Sequence, residues 1–364
     1  MKRTGTGRDA RLTAHGAVST SLALHSDRAL LALLDAAGTT GSGIGGKSTL
    51  LEVAGTRVFV KRVPLTDLDR RPDNMRSTAN LYELPLFCQY GIGEDGIGGP
   101  GFGAWRELAV HTMTTNWVLA GEHDGFPLMY HWRVLPDATP LPEELADVER
   151  AVASWDGRTS VRRRIEGLQH SSASIALFLE YIPQNLHQWL GEQLAAGDEA
   201  VNRACAMVES GLEDGISFMG SRGLLHFDTH FENILTDGER LYFADYGLAL
   251  SARFELTREA SDFFVRHHDY DRCYSTSYLV NWLVTALYGY GRDDREAQVR
   301  AFADGERPTG IPAAAAAILT RDAPLTAVMA DFFRQLRGES RKAPYPVGEL
   351  QRVGAIAMHR TPGD

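Results

Sequence analysis

Leu224-Leu225-His226-Phe227-Asp228-Thr229-His230-Phe231-Glu232-Asn233-Ile234-Leu235, followed by Leu241-Tyr242-Phe243-Ala244-Asp245-Tyr246-Gly247-Leu248-Ala249, is the stretch on which the fold turns. Its apolar runs and polar interruptions read as loop, short strand, turn and second strand. Asp228 and Asn233 stand in one loop, close enough to flank a single reaction centre, and Asp245 returns at the end of the short hairpin. A carboxylate to orient a hydroxyl and hard oxygen donors for magnesium are what phosphoryl transfer from ATP needs, because that reaction relies on positioning and charge neutralisation more than on covalent chemistry. His226, Asp228 and His230, at alternate positions, also offer a zinc reading. Asn233 and Asp245 speak against it, since magnesium explains them better and no third nitrogen or sulfur ligand is near. His226 reads as a brace for the loop, and the role of His230 stays open.

Upstream, Gly41-Ser42-Gly43-Ile44-Gly45-Gly46-Lys47-Ser48 fits two patterns. It matches GxxxxGK[ST], a phosphate-cradling loop that must follow a buried strand and open a helix. It also holds Gly41, Gly43 and Gly46 at GxGxxG spacing, a loop that lies between two antiparallel strands and covers phosphates from above. A helix-like run, Ala29 to Leu34, comes before it. Thr49 to Val53, the turn Ala54-Gly55-Thr56 and Val58 to Val63 come after it, and this context predicts a hairpin. Lys61 falls within the second apolar run, where burial is costly unless the amine is paired. Its expected task is to contact the α- and β-phosphates while a helix glutamate holds it. Glu107, in the first turn of a helix predicted over Ala104 to Leu119, is the first choice and Glu83 the second.

The 364 residues leave room for a sizeable core without disulfides, and 44% hydrophobic against 23% charged residues describe an ordinary globular chain. Lys+Arg 37 against Asp+Glu 47, a net charge of −10, argues against a nucleic-acid partner. Cys88, Cys205 and Cys273 lack metal-ligand spacing, no run reaches the roughly 18 apolar residues of a membrane span, and no export signal stands out, so the expectation is a cytoplasmic protein with no membrane partner. Residues 1 to about 26, rich in Gly, Thr and Ser, read as a loosely docked arm within an N-terminal region 1–36. The stretch 136–172 reads as an insertion with one helix over Glu143 to Val152, and Arg162-Arg163-Arg164 in it as a solvated face. Ser174 to Ile182 reads as a buried strand. Beyond Pro183 the pattern is helical, apart from the opening stretch and a polar segment from Ser251 to Asp271. A strand-rich first part and a helix-rich second part predict an α+β protein of two lobes.

From about Gly38 to Ala249 the chain resembles the protein-kinase-like superfamily. His226-Phe227-Asp228 is similar to the HRD catalytic loop, Asp245-Tyr246-Gly247 to the DFG triplet, and His226-x-Asp228-x-His230-x-x-Asn233 to the HxDxHxxN loop of aminoglycoside phosphotransferases and other small-molecule kinases. The resemblance implies a bilobal fold, with a small β-rich N-lobe over 37–182 and a larger helical C-lobe over 183–364. It implies ATP and Mg²⁺ as cofactors, Asp228 as catalytic base, and Asn233 and Asp245 as magnesium ligands. Glu180-Tyr181-Ile182 falls at the hinge, where backbone groups of Glu180 and Ile182 would bind adenine, with Phe59 and Leu235 around the ring. The implied acceptor is a hydroxyl, first Ser or Thr of a protein. The alternatives are a small molecule such as an aminoglycoside-type antibiotic, and a nucleotide-binding pseudokinase serving as an interaction module. Two departures bear on regulation: Phe227 stands where protein kinases carry the HRD arginine, and no Ala-Pro-Glu follows Asp245-Tyr246-Gly247.

Overall fold

The computed structural model describes residues 6–38, 40–43, 46–91, 98–138 and 140–354. Ile44 and Gly45 of the glycine loop, Gly93 and Gly96 of the glycine-rich stretch before Ala104, residues 1–5 of the arm and 355–364 of the C-terminal part lie outside the described residues. The chain forms two compact units. The first takes the residues up to Ile182 together with Ala244–Ala249 and Arg253–Leu256, and the second takes the rest. Asp245 therefore belongs with the first unit.

In the first unit the order is α1 (Thr6–Ala23), α2 (Asp27–Ala37), β1 (Gly41–Gly43), β2 (Gly46–Val53), β3 (Thr56–Leu65), α3 (Ala104–Ala120), β4 (Met129–Pro136), α4 (Glu143–Ala146), α5 (Val148–Ser154), α6 (Thr159–Gln169) and β5 (Ala173–Glu180). The strands make one antiparallel sheet ordered β1-β2-β3-β5-β4. Alternation along β3 sends Phe59, Lys61 and Val63 to one face and Val58, Val60 and Arg62 to the other. The Lys61 face packs on α3 through Val63, Leu65, Trp105, Leu108, Ile175 and Leu177. Helices α1 and α2 contact β2 and β4.

The second unit holds β6 (Gln184–Asn185), α7 (Leu186–Ala195), α8 (Asp198–Ser221), β7 (Leu224–Leu225), β8 (Ile234–Thr236), β9 (Leu241–Phe243), β10 (Leu250–Ser251), α9 (Arg258–Arg266), α10 (Tyr270–Tyr288), α11 (Arg292–Ala303), α12 (Ala313–Gly338) and α13 (Val347–Arg352). Its strands form two small antiparallel pieces, β6-β8-β9 and β10-β7, beside α7 and α8, and α8 packs in turn on α10 and α12. A mainly antiparallel sheet in one unit and mostly helices in the other make the chain α+β. By length and composition α12 is apolar enough to cross a membrane, but it carries Arg321, Asp322 and Asp331 and packs against α10 and α11.

Four local expectations are corrected. The arm is helical over Thr6–Ala23: Val18 and Leu22 are fully buried, and Ser19 Oγ donates to the Tyr130 carbonyl at 2.7 Å, so tertiary contacts supply what Gly, Ser and Thr withhold in helix propensity. The polar segment after Ser251 contains α9, capped by Thr257 Oγ1 accepting from Ala260 N at 3.2 Å and packed through Ala260 and Phe263. The single helix over Glu143 to Val152 breaks at Asp147, whose carboxylate accepts from Arg150 N at 3.1 Å and starts α5. Arg164 is not solvated. It lies buried, 3.4 Å from Asp69 Oδ2, with its guanidinium 5.1 Å from the Tyr82 ring centroid.

Candidate functional site

Lys61 enters the site because its odd position in β3 turns it toward α3, where Glu107 in the first helical turn meets it. Lys61 Nζ lies 2.8 Å from Glu107 Oε1 and 2.7 Å from Asp245 Oδ1. Burial alone would lower the Lys61 ammonium, but Asp245 and then Glu107 outweigh it and hold its pKa above the ordinary value. Burial pushes the Glu107 carboxyl up to about 7, Lys61 opposing and Asp245 adding. Glu83, the second choice for this pairing, is far more exposed and lies 3.6 Å from Arg163 instead.

Asp245 sits at φ 60, a left-handed conformation that most side chains avoid, and Gly247 N donates to its Oδ1 at 3.3 Å. Tyr246 locks the turn: it is fully buried, its ring packs edge-on to His111 at 4.8 Å, and its hydroxyl bonds to the Thr114 side chain. Glu107, His111 and Thr114 follow one another along one face of α3, so a single helix face grips both Lys61 and the Asp245 turn.

The glycine loop is part of a hairpin, with Gly41 pairing Ser48 and Gly43 pairing Gly46. Gly46 is required locally: at φ 113, an added Cβ would fall 2.1 Å from the Arg62 carbonyl oxygen. A strand, not a helix, follows it. Lys47 pairs across the strands with Arg62, so it points away from Lys61, and its Nζ lies 3.7 Å from Asp137. The GxxxxGK[ST] pattern therefore lacks the context it needs. Glu180 ends β5 with its side chain engaged by α1: Arg11 Nε and Nη2 donate to its two oxygens at 2.8 and 2.7 Å, and Leu128 N donates at 3.0 Å. Its amide is donated to the Leu128 carbonyl at 2.7 Å, so any adenine contact here must come from other backbone groups of the 180–182 segment.

In the second unit the loop between β7 and β8 carries Asp228 and Asn233. Asn233 Nδ2 donates to the Asp228 carbonyl at 3.1 Å and to Asp228 Oδ2 at 3.0 Å, which ties the two side chains and turns the Asn233 oxygen away from Asp228. Phe227, at φ 65, is buried and stacks on Tyr270 at 4.7 Å. Asp271, at the start of α10, accepts from His226 N at 2.6 Å and Phe227 N at 2.7 Å. Its burial lifts its pKa from 3.8 to about 6 against the pull of those two amides. Sequence reading misses Asp271, since its partners are backbone amides.

His226 Nδ1 accepts from Asp228 N at 3.3 Å, which is the bracing role. His230 bridges two acids, with Nδ1 2.8 Å from Glu232 Oε2 and Nε2 3.7 Å from Asp228 Oδ1. The His230 bond, outweighing partial burial, brings the Glu232 carboxyl down to about 2, and Tyr278 OH donates to it at 3.1 Å. Among the described residues no three His, Cys, Asp or Glu side chains are placed to hold one metal ion, so His226, Asp228 and His230 do not form a zinc set. The predicted residues thus fall into two groups, Lys61, Glu107 and Asp245 in the first unit and Asp228 and Asn233 in the second. The chain matches no known family model and no curated protein.

Proposed function

We propose that the chain is an ATP- and Mg²⁺-dependent phosphotransferase of the bilobal kinase type, acting on a hydroxyl, with Ser or Thr of a protein as acceptor. The Lys61, Glu107 and Asp245 triplet carries the reading. A purely structural lysine needs one carboxylate, whereas here Glu107 and Asp245 crowd one ammonium, and a cation at the partly exposed Asp245 would relieve the repulsion that helps lift the Glu107 carboxyl to about 7. The Asp245 carboxylate of the first unit, with 39% of its side chain exposed, and the Asn233 amide oxygen of the second are each of the hard oxygen type that magnesium takes. Bound MgATP would supply the phosphoryl group and the metal charge that neutralises it. Lys61 would hold phosphate oxygens, Glu107 keeps Lys61 in place, and Asp228, steadied by Asn233, would take the proton of the acceptor hydroxyl.

A second reading, a small-molecule kinase for a cationic hydroxyl compound, is favoured by the ionised Glu232 held beside Asp228 by His230 and Tyr278. Incubating the protein with labelled ATP, a generic protein substrate and a panel of aminoglycosides separates the two. Asp245→Asn, a poorer magnesium ligand, is expected to weaken both MgATP binding and turnover. Wild-type affinity and turnover in that variant refute the assignment, and nucleotide binding without any turnover leaves the pseudokinase reading.

A further inference from the structure

The chain leaves the first unit after Ala249 and returns to it at Arg253–Leu256. The returning segment is fastened through Glu255. Glu255 N donates to Thr78 Oγ1 at 2.9 Å, and the Glu255 carboxylate accepts from Ala79 N at 3.2 Å and from the Ser77 hydroxyl. The other side of the same turn is held by α3, because Arg106 Nε donates to the Thr78 carbonyl at 2.8 Å. The buried Arg106 guanidinium lies 5.1 Å from the Phe102 ring and 5.4 Å from the Phe254 ring. Arg106 is the immediate neighbour of Glu107, so any shift of the 253–256 segment pulls on the turn of α3 that orients Lys61.

We propose that Glu255 and Arg106 are positioning residues that clamp the segment following Asp245-Tyr246-Gly247 onto residues 77–79 and α3, and so hold Glu107 on Lys61 with no phosphate on that segment. The inference rests on the phosphotransferase reading and adds its regulation. A fixed carboxylate and an aromatic-sandwiched guanidinium do here what a phosphate and its arginine do in a switched enzyme, so the site is organised as soon as the chain folds. Phe227, buried and uncharged, offers no phosphate partner from the loop that carries Asp228.

The test uses the full chain, treated with phosphatase, as wild type, Glu255→Ala and Glu255→Gln, with kcat and KM for ATP measured beside deuterium exchange of 250–258 and of α3. Glu255→Ala is expected to lower kcat by about tenfold or more and to speed exchange in both segments, while Glu255→Gln, whose amide oxygen accepts the same bonds, recovers most of both. Glu255 is exposed, so the variants are expected to fold. Unchanged kcat in Glu255→Ala overturns the inference, whether or not thermal stability falls. Faster exchange confined to 253–256, with α3 unaffected, also overturns it. Wild-type protein that neither binds nor turns over MgATP refutes the phosphotransferase reading instead, and the exchange rates of the two segments then decide by themselves whether the clamp exists.

Discussion

Replacing Asp271 by alanine removes the acceptor of two consecutive buried amides, those of His226 and Phe227. Each orphaned donor costs about 1–3 kcal/mol, so the gross loss is about 2–6 kcal/mol. The substitution also relieves the burial that lifts the carboxyl from 3.8 to about 6, which returns about 3 kcal/mol when the group is ionised. The expected net effect at pH 7 is therefore small, between about a 1 kcal/mol gain and about a 3 kcal/mol loss. The pH dependence has a fixed sign. A carboxyl with its folded pKa raised contributes stability that is full below its unfolded pKa near 4 and is lost as pH rises through about 6. The gap between wild type and Asp271→Ala should widen by up to about 3 kcal/mol on going from pH 7 to pH 4. Activity should suffer more than stability: Phe227 at φ 65 stores about 1–2 kcal/mol of backbone strain, and once its amide is released the loop relaxes and carries Asp228 with it. A displacement of about an ångström costs on the order of a hundredfold in turnover. Urea titrations at pH 7 and pH 4, read by tyrosine and tryptophan fluorescence, together with phosphotransfer rates, make the measurement. A stability gap that narrows on acidification, or wild-type turnover in Asp271→Ala, refutes the reasoning.

Lys61→Ala should abolish most ATP turnover while Lys47→Ala leaves it within a few-fold, because Lys47 lies on the opposite sheet face and pairs with Asp137; a larger loss at Lys47 would restore the GxxxxGK[ST] reading. Phosphatase-treated protein should keep its turnover, and a hundredfold loss would show that a residue elsewhere reads a phosphate. In the Ser251→Ala, Thr257→Ala, Ser261→Ala variant, stability should fall by about 1 kcal/mol from the lost α9 cap, measured by thermal unfolding, with the turnover barrier changed by about 1 kcal/mol or less. Ser251 is buried, with its hydroxyl donating to the Gly223 carbonyl at 3.1 Å, so phosphate should be absent from it by mass spectrometry; a phosphorylated Ser251 in folded protein would contradict that burial.

Much of the first unit was legible because its signals are local. The alternation through Val58 to Val63, the Gly55 turn and the apolar spacing of Ala104 to Leu119 fix β2, β3 and α3, and with them the facing of Lys61 and Glu107. What escaped was held by distant partners. Nothing local in Thr6 to Ala23 announces a helix; Arg11 fastens it to Glu180, 169 residues away. Asp271 is bound to amides 44 and 45 residues earlier. Arg164 is a different case. Val161, Arg164, Ile165 and Leu168 are buried together at helical spacing, so the arginine stands on the apolar stripe of α6, a signal masked by its neighbours Arg162 and Arg163.

Two non-glycine residues of the candidate site, Phe227 and Asp245, sit in the left-handed region, one in each unit. Each costs about 1–2 kcal/mol relative to a relaxed backbone, so each persists only because its surroundings over-determine it. For Phe227 the constraint is its own charge-assisted bond to Asp271, the neighbouring His226 amide bond to the same carboxylate, and a stack on Tyr270. For Asp245 it is Lys61 on one side and, on the other, the buried Tyr246 wedged against His111 and Thr114. Thr114 donates its own proton to the Val110 carbonyl at 3.1 Å, so the Tyr246 hydroxyl is the donor in their shared bond. Neither arrangement minimises the energy of its own segment. A chain selected for stability alone gains by relaxing both turns and replacing the Lys61 cluster with apolar packing. Strain retained at the turn that presents Asp228, and separately at the Asp245 turn beside a lysine held by two acids, is what the proposed phosphotransferase function would require of each unit.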